Sequence, residues 1–106
     1  MVMRGEVWLT DLDPTVGREI QKTRPCVIVS PDELNKVVRT VLIAPMTTGG
    51  WVTSFRVPVV FQGKDGLIVP DQMRSIDRRR LRKKLGVLQE DDLQTLLSVM
   101  RTIFEH

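Results

Sequence analysis

Short apolar runs, cut apart by glycine and proline, leave this chain few ways to fold. Side chains on an extended strand point to opposite faces in turn, so short runs with a period of two build strands. Frequent turn residues between them favour an antiparallel arrangement. Candidate strands fall at residues 6–12, 25–30, 40–46, 54–61 and 67–70. In the fourth, Phe55, Val57, Val59 and Phe61 share one face, with Arg56, Pro58, Val60 and Gln62 on the other. Pro58 has no N–H for a ladder, which places that strand at an edge or beside a bulge. Turn chemistry fills the breaks: Asp13-Pro14 with Gly17, Gly49-Gly50, and Gly63-Lys64-Asp65-Gly66.

Helices are few. Ser30-Pro31-Asp32-Glu33 has the makings of a helix start, with Ser30 as N-cap and Glu33 completing a capping box. A short helical piece is expected after Asp77. The longest helix is C-terminal, where Leu93, Leu96, Leu97, Met100, Ile103 and Phe104 recur at helical spacing to form one apolar face. Glu90, Asp91 and Asp92 sit where the positive end of the helix dipole favours them. That face is read as a cover for the sheet.

With 106 residues, 42% hydrophobic and 27% charged, the chain is expected to be one domain, 1–106, with a real core. No stretch approaches the roughly 18 apolar residues of a membrane span. The opening M-V-M-R-G-E has no apolar export segment, so a cytoplasmic location is expected. The net charge of +3 is unevenly spread: residues 73–86 hold seven of the 16 basic residues and one of the 13 acidic ones. Such a run suits either an anionic partner or a solvated turn.

The catalytic kits that depend on histidine or paired cysteines are missing. The only histidine is His106, and the only cysteine, Cys26, lies in an apolar strand and reads as core. There is no phosphate-cradling glycine motif and no metal-ligand spacing. Catalysis must then use Arg, Lys, Asp, Glu, Ser or Thr, without a cofactor or metal. That set suits attack of an RNA 2′-hydroxyl on its neighbouring phosphate, because the substrate brings its own nucleophile. The protein need only move protons and stabilise a dianionic transition state, a task for which arginine's planar fork is suited. Arg24 draws attention here: a permanent charge held beside Pro25 at the start of a buried strand.

Four segments in order, R-G-E-V-W-L-T-D-L-D-P-T-V-G-R-E, T-R-P-C-V-I-V-S, A-P-M-T-T-G-G and D-Q-M-R-S-I-D, resemble the MazF/PemK/Kid family of toxin endoribonucleases. The resemblance runs from Arg4 to the C-terminal helix. It implies an SH3-like antiparallel β barrel with a C-terminal helix, acting as a homodimer. It also implies metal-independent cleavage of single-stranded RNA at short motifs, leaving a 2′,3′-cyclic phosphate and a 5′-hydroxyl. The implied partner is a cognate antitoxin whose acidic, disordered C-terminal segment blocks the RNA groove.

Carried over position by position, the resemblance makes Arg24 the phosphate stabiliser and possible proton donor, and Thr47 a hydrogen-bond donor to the scissile phosphate. Glu19 and Asp71 compete for the role of base. Arg18, Lys22, Thr48, Trp51, Gln72, Arg74 and Arg78 are the expected RNA contacts. Arg18 stands where some members have a histidine, and Val69 where some have an arginine. Trp51 could stack on a base or fold inward, Arg18 and Glu19 could pair in a solvated loop, and Trp8 reads as packing or dimer contact. Two non-catalytic alternatives compete. One is a same-fold toxin acting on DNA gyrase, whose Trp-Gly-Ile ending this chain lacks; the other is a basic RNA-binding module using residues 74–84.

Overall fold

The computed structural model describes residues 1–105; His106 lies outside the described residues. Seven strands form one curled antiparallel sheet: β1 (Glu6–Asp11), β2 (Thr23–Ile28), β3 (Thr40–Thr47), β4 (Val57–Phe61), β5 (Lys64–Ile68), β6 (Arg74–Asp77) and β7 (Leu81–Val87). The order is β4-β5-β3-β2-β1-β7, with β6 also on β3. Two helices complete the fold, α1 (Asp32–Asn35) and α2 (Glu90–Glu105). This is the antiparallel, mainly β architecture with a C-terminal helix that the sequence pattern predicts, and the barrel implied by the resemblance takes the form of a curled half-barrel.

The central strands bury both faces, which explains why C-V-I-V reads as an unbroken apolar run. Val27 and Val29 of the β2 segment join Ala44, Met46, Val57, Val59 and Ile68 in one core, capped by Leu96 of α2. The intervening Cys26 and Ile28 face a second core with Val41, Ile43, Leu12 and Ile76. Trp8 packs against that second core, and its indole donates to the Glu6 carboxylate at 3.0 Å. The same carboxylate pairs with Lys84 of β7 at 3.0 Å, so a buried acid ties β1 to the charged edge strand.

Strand β3 changes its partner half-way. Thr40 to Ile43 pair with β6, whereas Met46 and Thr47 pair with β5. The chain between β5 and β6 leaves the sheet at this seam as a 3-10 turn, Pro70–Gln72, held by the Val69 N–H donating to the Pro45 carbonyl at 2.9 Å. The D-Q motif therefore sits beside the middle of β3.

Several local expectations need correction. The strand expected from residue 54 begins at Val57, because the Arg56 N–H bonds to the Thr53 carbonyl and turns the chain first. Lys64 to Gly66 are strand rather than turn: the hairpin turns on Gln62 and Gly63 alone, both at positive φ. Pro58 does lie on an edge strand. The Ser30 capping box does not form. Its hydroxyl is buried and donates to Asn35, leaving Pro31 at the helix cap. Residues 78–80 form only a 3-10 turn, and the flanking basic segments are the strands β6 and β7, which hydrophobic patterning did not reveal. Phe104, assigned to the apolar face of α2, is 74% exposed.

Candidate active site

A proline opens the site. The β2–β3 ladder ends at Cys26↔Pro45. Beyond that pair, Pro25 has no N–H to donate across to β3, while Pro45 faces the other side of β3, where its carbonyl accepts from Val69. Continuing the antiparallel register brings Arg24 opposite Thr47, on strand ends no longer bonded to each other. Arg24, Pro25, Met46, Thr47 and Thr48 accordingly line one wall of a 270 Å³ groove, whose far side includes Gln62, Lys64 and Gly66. Arg24 is half-buried and its Nε donates to the Gln21 carbonyl at 3.3 Å, while the Thr47 hydroxyl donates to the Gly49 carbonyl. Gly66 keeps the groove open, since a Cβ there would stand 3.2 Å from the Met46 sulfur.

The base candidates face a different cavity. Arg18, Glu19, Asp71, Gln72 and Arg74 converge with Pro45 around a 470 Å³ hollow. Pro45 and Met46 are consecutive, and consecutive strand residues point to opposite faces, so the two cavities flank β3. The Glu19 carboxylate accepts from the Val16 N–H at 2.8 Å and so closes its own loop. No Arg18–Glu19 ion pair forms among the described residues. Gln72 accepts from the Ile20 N–H at 2.7 Å and donates to the Arg18 carbonyl at 3.5 Å. Arg74 donates to the Leu12 carbonyl at 3.0 Å. Both expected RNA contacts thus hold the loop between β1 and β2. Trp51 stands 83% exposed rather than folded inward, and Lys22 is exposed in the left-handed backbone region just before β2. Among the described residues no group of three His, Cys, Asp or Glu side chains is placed to hold a metal ion.

Residues 3–104 match the PemK-like, MazF-like toxin family of type II toxin–antitoxin systems. The chain belongs to that family. It is 39% identical to Endoribonuclease PemK of Escherichia coli over a 106-residue alignment covering 94% of this chain and 80% of that one. Among solved structures it resembles MazF from Deinococcus radiodurans, with a TM-score of 0.87 and 23% identity over 99% of this chain and 97% of that chain. It also resembles a mycobacterial endoribonuclease in complex with its cognate antitoxin, at a TM-score of 0.84 and 19% identity, covering 99% and 96% of the two chains.

In this MazF-like chain the structure adds a residue that sequence reading passes over. Arg56, which alternation places only on the face opposite Phe55 and Val57 and which lies just before β4, grips Asp71 through both oxygens: Nε to Oδ1 at 3.1 Å and Nη2 to Oδ2 at 2.9 Å. The carboxylate beside it raises the Arg56 pKa further, so the guanidinium is always charged. The available signal was the hairpin register: extending Val57↔Ile68 by one pair sets Arg56 opposite Val69, two residues short of Asp71.

The basic run of this toxin-family chain is largely spent internally. Arg79 pairs with Asp77 and Arg82 with Asp11, while Arg80 donates to the carbonyls of Asp11 and Asp13. Arg78 lies beyond the far end of β3 from Thr47, roughly 20 Å or more along an extended strand. Within one protomer it is outside both cavities described above.

Proposed function

We propose that this chain is an endoribonuclease toxin that cuts single-stranded RNA, acts as a cytoplasmic homodimer and is neutralised by a cognate antitoxin carrying an acidic, disordered C-terminal segment. The observation that carries the reading is Arg24 set opposite Thr47 by the strand register, just past the point where Pro25 leaves the β2–β3 ladder without a donor, in a chain of this family. In the proposed reaction a base removes the 2′-hydroxyl proton, and the O2′–P bond forms as the P–O5′ bond breaks. The leaving 5′-oxygen takes up a proton, giving a 2′,3′-cyclic phosphate and a 5′-hydroxyl. Arg24 stabilises the dianionic phosphorane and can supply that proton; the Thr47 hydroxyl turns from Gly49 to a phosphate oxygen. Mounting Arg24 beside Pro25 and a buried strand presets the donor, so little order is lost as charge develops. Glu19 and Asp71 are the candidates for the base, and no metal takes part.

The test is incubation of the purified chain with long single-stranded RNA in EDTA, followed by mapping of the new ends. Wild-type protein is expected to leave 5′-hydroxyl and cyclic-phosphate ends, and Arg24→Ala to lose activity by about 100-fold or more while remaining folded. Intact RNA across several unrelated sequences overturns the proposal. Cleavage only with a divalent ion overturns the mechanism alone.

A further inference from the structure

The two loops beside the site are fastened to one short turn. Gln72 holds the loop between β1 and β2 through the backbone of Ile20 and Arg18. Its neighbour Asp71 holds the loop between β3 and β4, but indirectly, through Arg56. The Arg56 guanidinium has three bonded arms: two on Asp71 and a third, Nη1, donating to the Trp51 carbonyl at 3.3 Å. Nothing else in the hydrogen-bond pattern ties Trp51 to the sheet among the described residues. The same guanidinium lies near Thr47, across Gly50. A Cβ built on Gly50 would lie 3.6 Å from Arg56 Nη1 and 3.9 Å from the Thr47 hydroxyl, so one glycine separates them. Gly50 sits at φ +116°, where only glycine is comfortable.

We infer that Arg56 and Asp71 form a latch whose work is to position the Trp51 loop for RNA, so that Asp71 is a positioning residue rather than the base. This rests on the endoribonuclease reading above. A guanidinium suits the task because its planar fork fixes a carboxylate and a carbonyl in one geometry, which a lysine ammonium cannot do. The pair is half-exposed, with side-chain exposures of 20% and 41%, so its contribution to overall stability is small. Its consequence is local. An 83%-exposed indole on a tethered loop meets a base without first having to be ordered.

The experiment compares Arg56→Ala, Arg56→Lys, Asp71→Asn and the double variant Arg56→Ala/Asp71→Asn in steady-state RNA cleavage, with thermal melts to verify folding. Each single variant is expected to raise KM about 10-fold, the scale of one base stack, and to change kcat by less than about threefold. The double variant should be no worse than either single one, because both break the same latch. A kcat loss of about 100-fold in Asp71→Asn with Arg56→Ala near wild type assigns Asp71 to proton transfer and overturns the inference. Additive effects, or full activity in Arg56→Lys, also overturn it. Should Arg56→Ala fail to fold, Arg56→Lys and Asp71→Asn decide the matter alone. If wild-type protein cleaves no RNA, the functional proposal falls and the latch is read separately, from Trp51 fluorescence anisotropy in a Trp8→Phe background. Removing the Arg56 fork should lower that anisotropy, and an unchanged value refutes the latch.

Discussion

Glu6 offers the sharpest energetic test of the fold, because its two oxygens do separable jobs. Oε1 accepts from the Met3 N–H at 3.1 Å and the Trp8 indole at 3.0 Å, while Oε2 meets the Lys84 ammonium at 3.0 Å. The Glu6 side chain is 8% exposed, whereas that of Lys84 is 47% exposed. Glu6→Ala strands the first two donors in partly buried surroundings, at about 1–3 kcal/mol for a group left without a partner. Poorer packing brings the expected total to about 2–4 kcal/mol. Glu6→Gln keeps a carbonyl oxygen for Met3 and Trp8 and gives up only the half-exposed ion pair, so about 1 kcal/mol is expected. For a chain of this size that is roughly 4–5 °C in melting temperature for Gln and 9–18 °C for Ala at neutral pH.

Acid separates the two contributions further. Burial raises the Glu6 pKa, but the Trp8 and Lys84 hydrogen bonds outweigh it and hold the group below its ordinary 4.5. A carboxylate with a depressed folded-state pKa stabilises above its unfolded value and loses that contribution as pH falls through the folded one. The gap between wild type and Glu6→Gln should therefore narrow when melts are repeated in steps below pH 4.5. Equal melting temperatures for Gln and Ala, or a gap independent of pH, would refute this account of the edge.

Gly5 lies at φ +90° with its N–H donating to Ile28, and an added Cβ would meet Leu93 at 3.1 Å. Gly5→Ala is thus expected to lower stability by about 1–3 kcal/mol in urea unfolding. Leu96 is the fully buried residue of α2, so Leu96→Ala should cost about 2–5 kcal/mol by the same measurement. Arg78 and Lys83 have no ion-pair partner among the described residues, in contrast to Arg79, Arg82 and Lys84. Replacing both by glutamate should flatten the salt dependence of RNA binding by about one unit of slope for every phosphate no longer neutralised, with kcat little changed. An unaltered slope would mark the run as solvated surface.

How much of this is legible in the sequence follows from where charge and core coincide. The first five strands announce themselves because most of their buried residues are apolar, Glu6 and Thr10 of β1 being the exceptions, although Lys64 to Gly66 of β5 read as turn. Strand β6 buries only Ile76, and β7 has no fully buried residue, so neither has a pattern to read. Ser30 satisfies the local grammar of a helix cap, but burial gives its hydroxyl a tertiary partner in Asn35. In the site, Arg24 and Thr47 are joined at the sequence level only by the family resemblance; the β2–β3 register that sets them opposite each other needs the structure. Arg56 cannot be assigned from alternation, since a strand-side charge looks the same whether it faces water or a carboxylate 15 residues away in sequence. Asp71 and Gln72 stand out as a motif, yet their roles as anchors depend on the seam in β3, which needs the topology.

Cys26 is the only cysteine in the chain, 0% exposed, with burial the main reason its thiol is pushed up to about 12. It is also two residues from Arg24, to whose carbonyl its sulfur donates at 3.6 Å. A thiol of that kind ignores a neutral-pH labelling reagent until the strand around it opens. The rate of its modification is therefore a built-in clock for local opening at the mount of Arg24. Antitoxin or RNA bound across that mount should slow the clock, and a reporter of occupancy then comes with the native sequence, without any label being added.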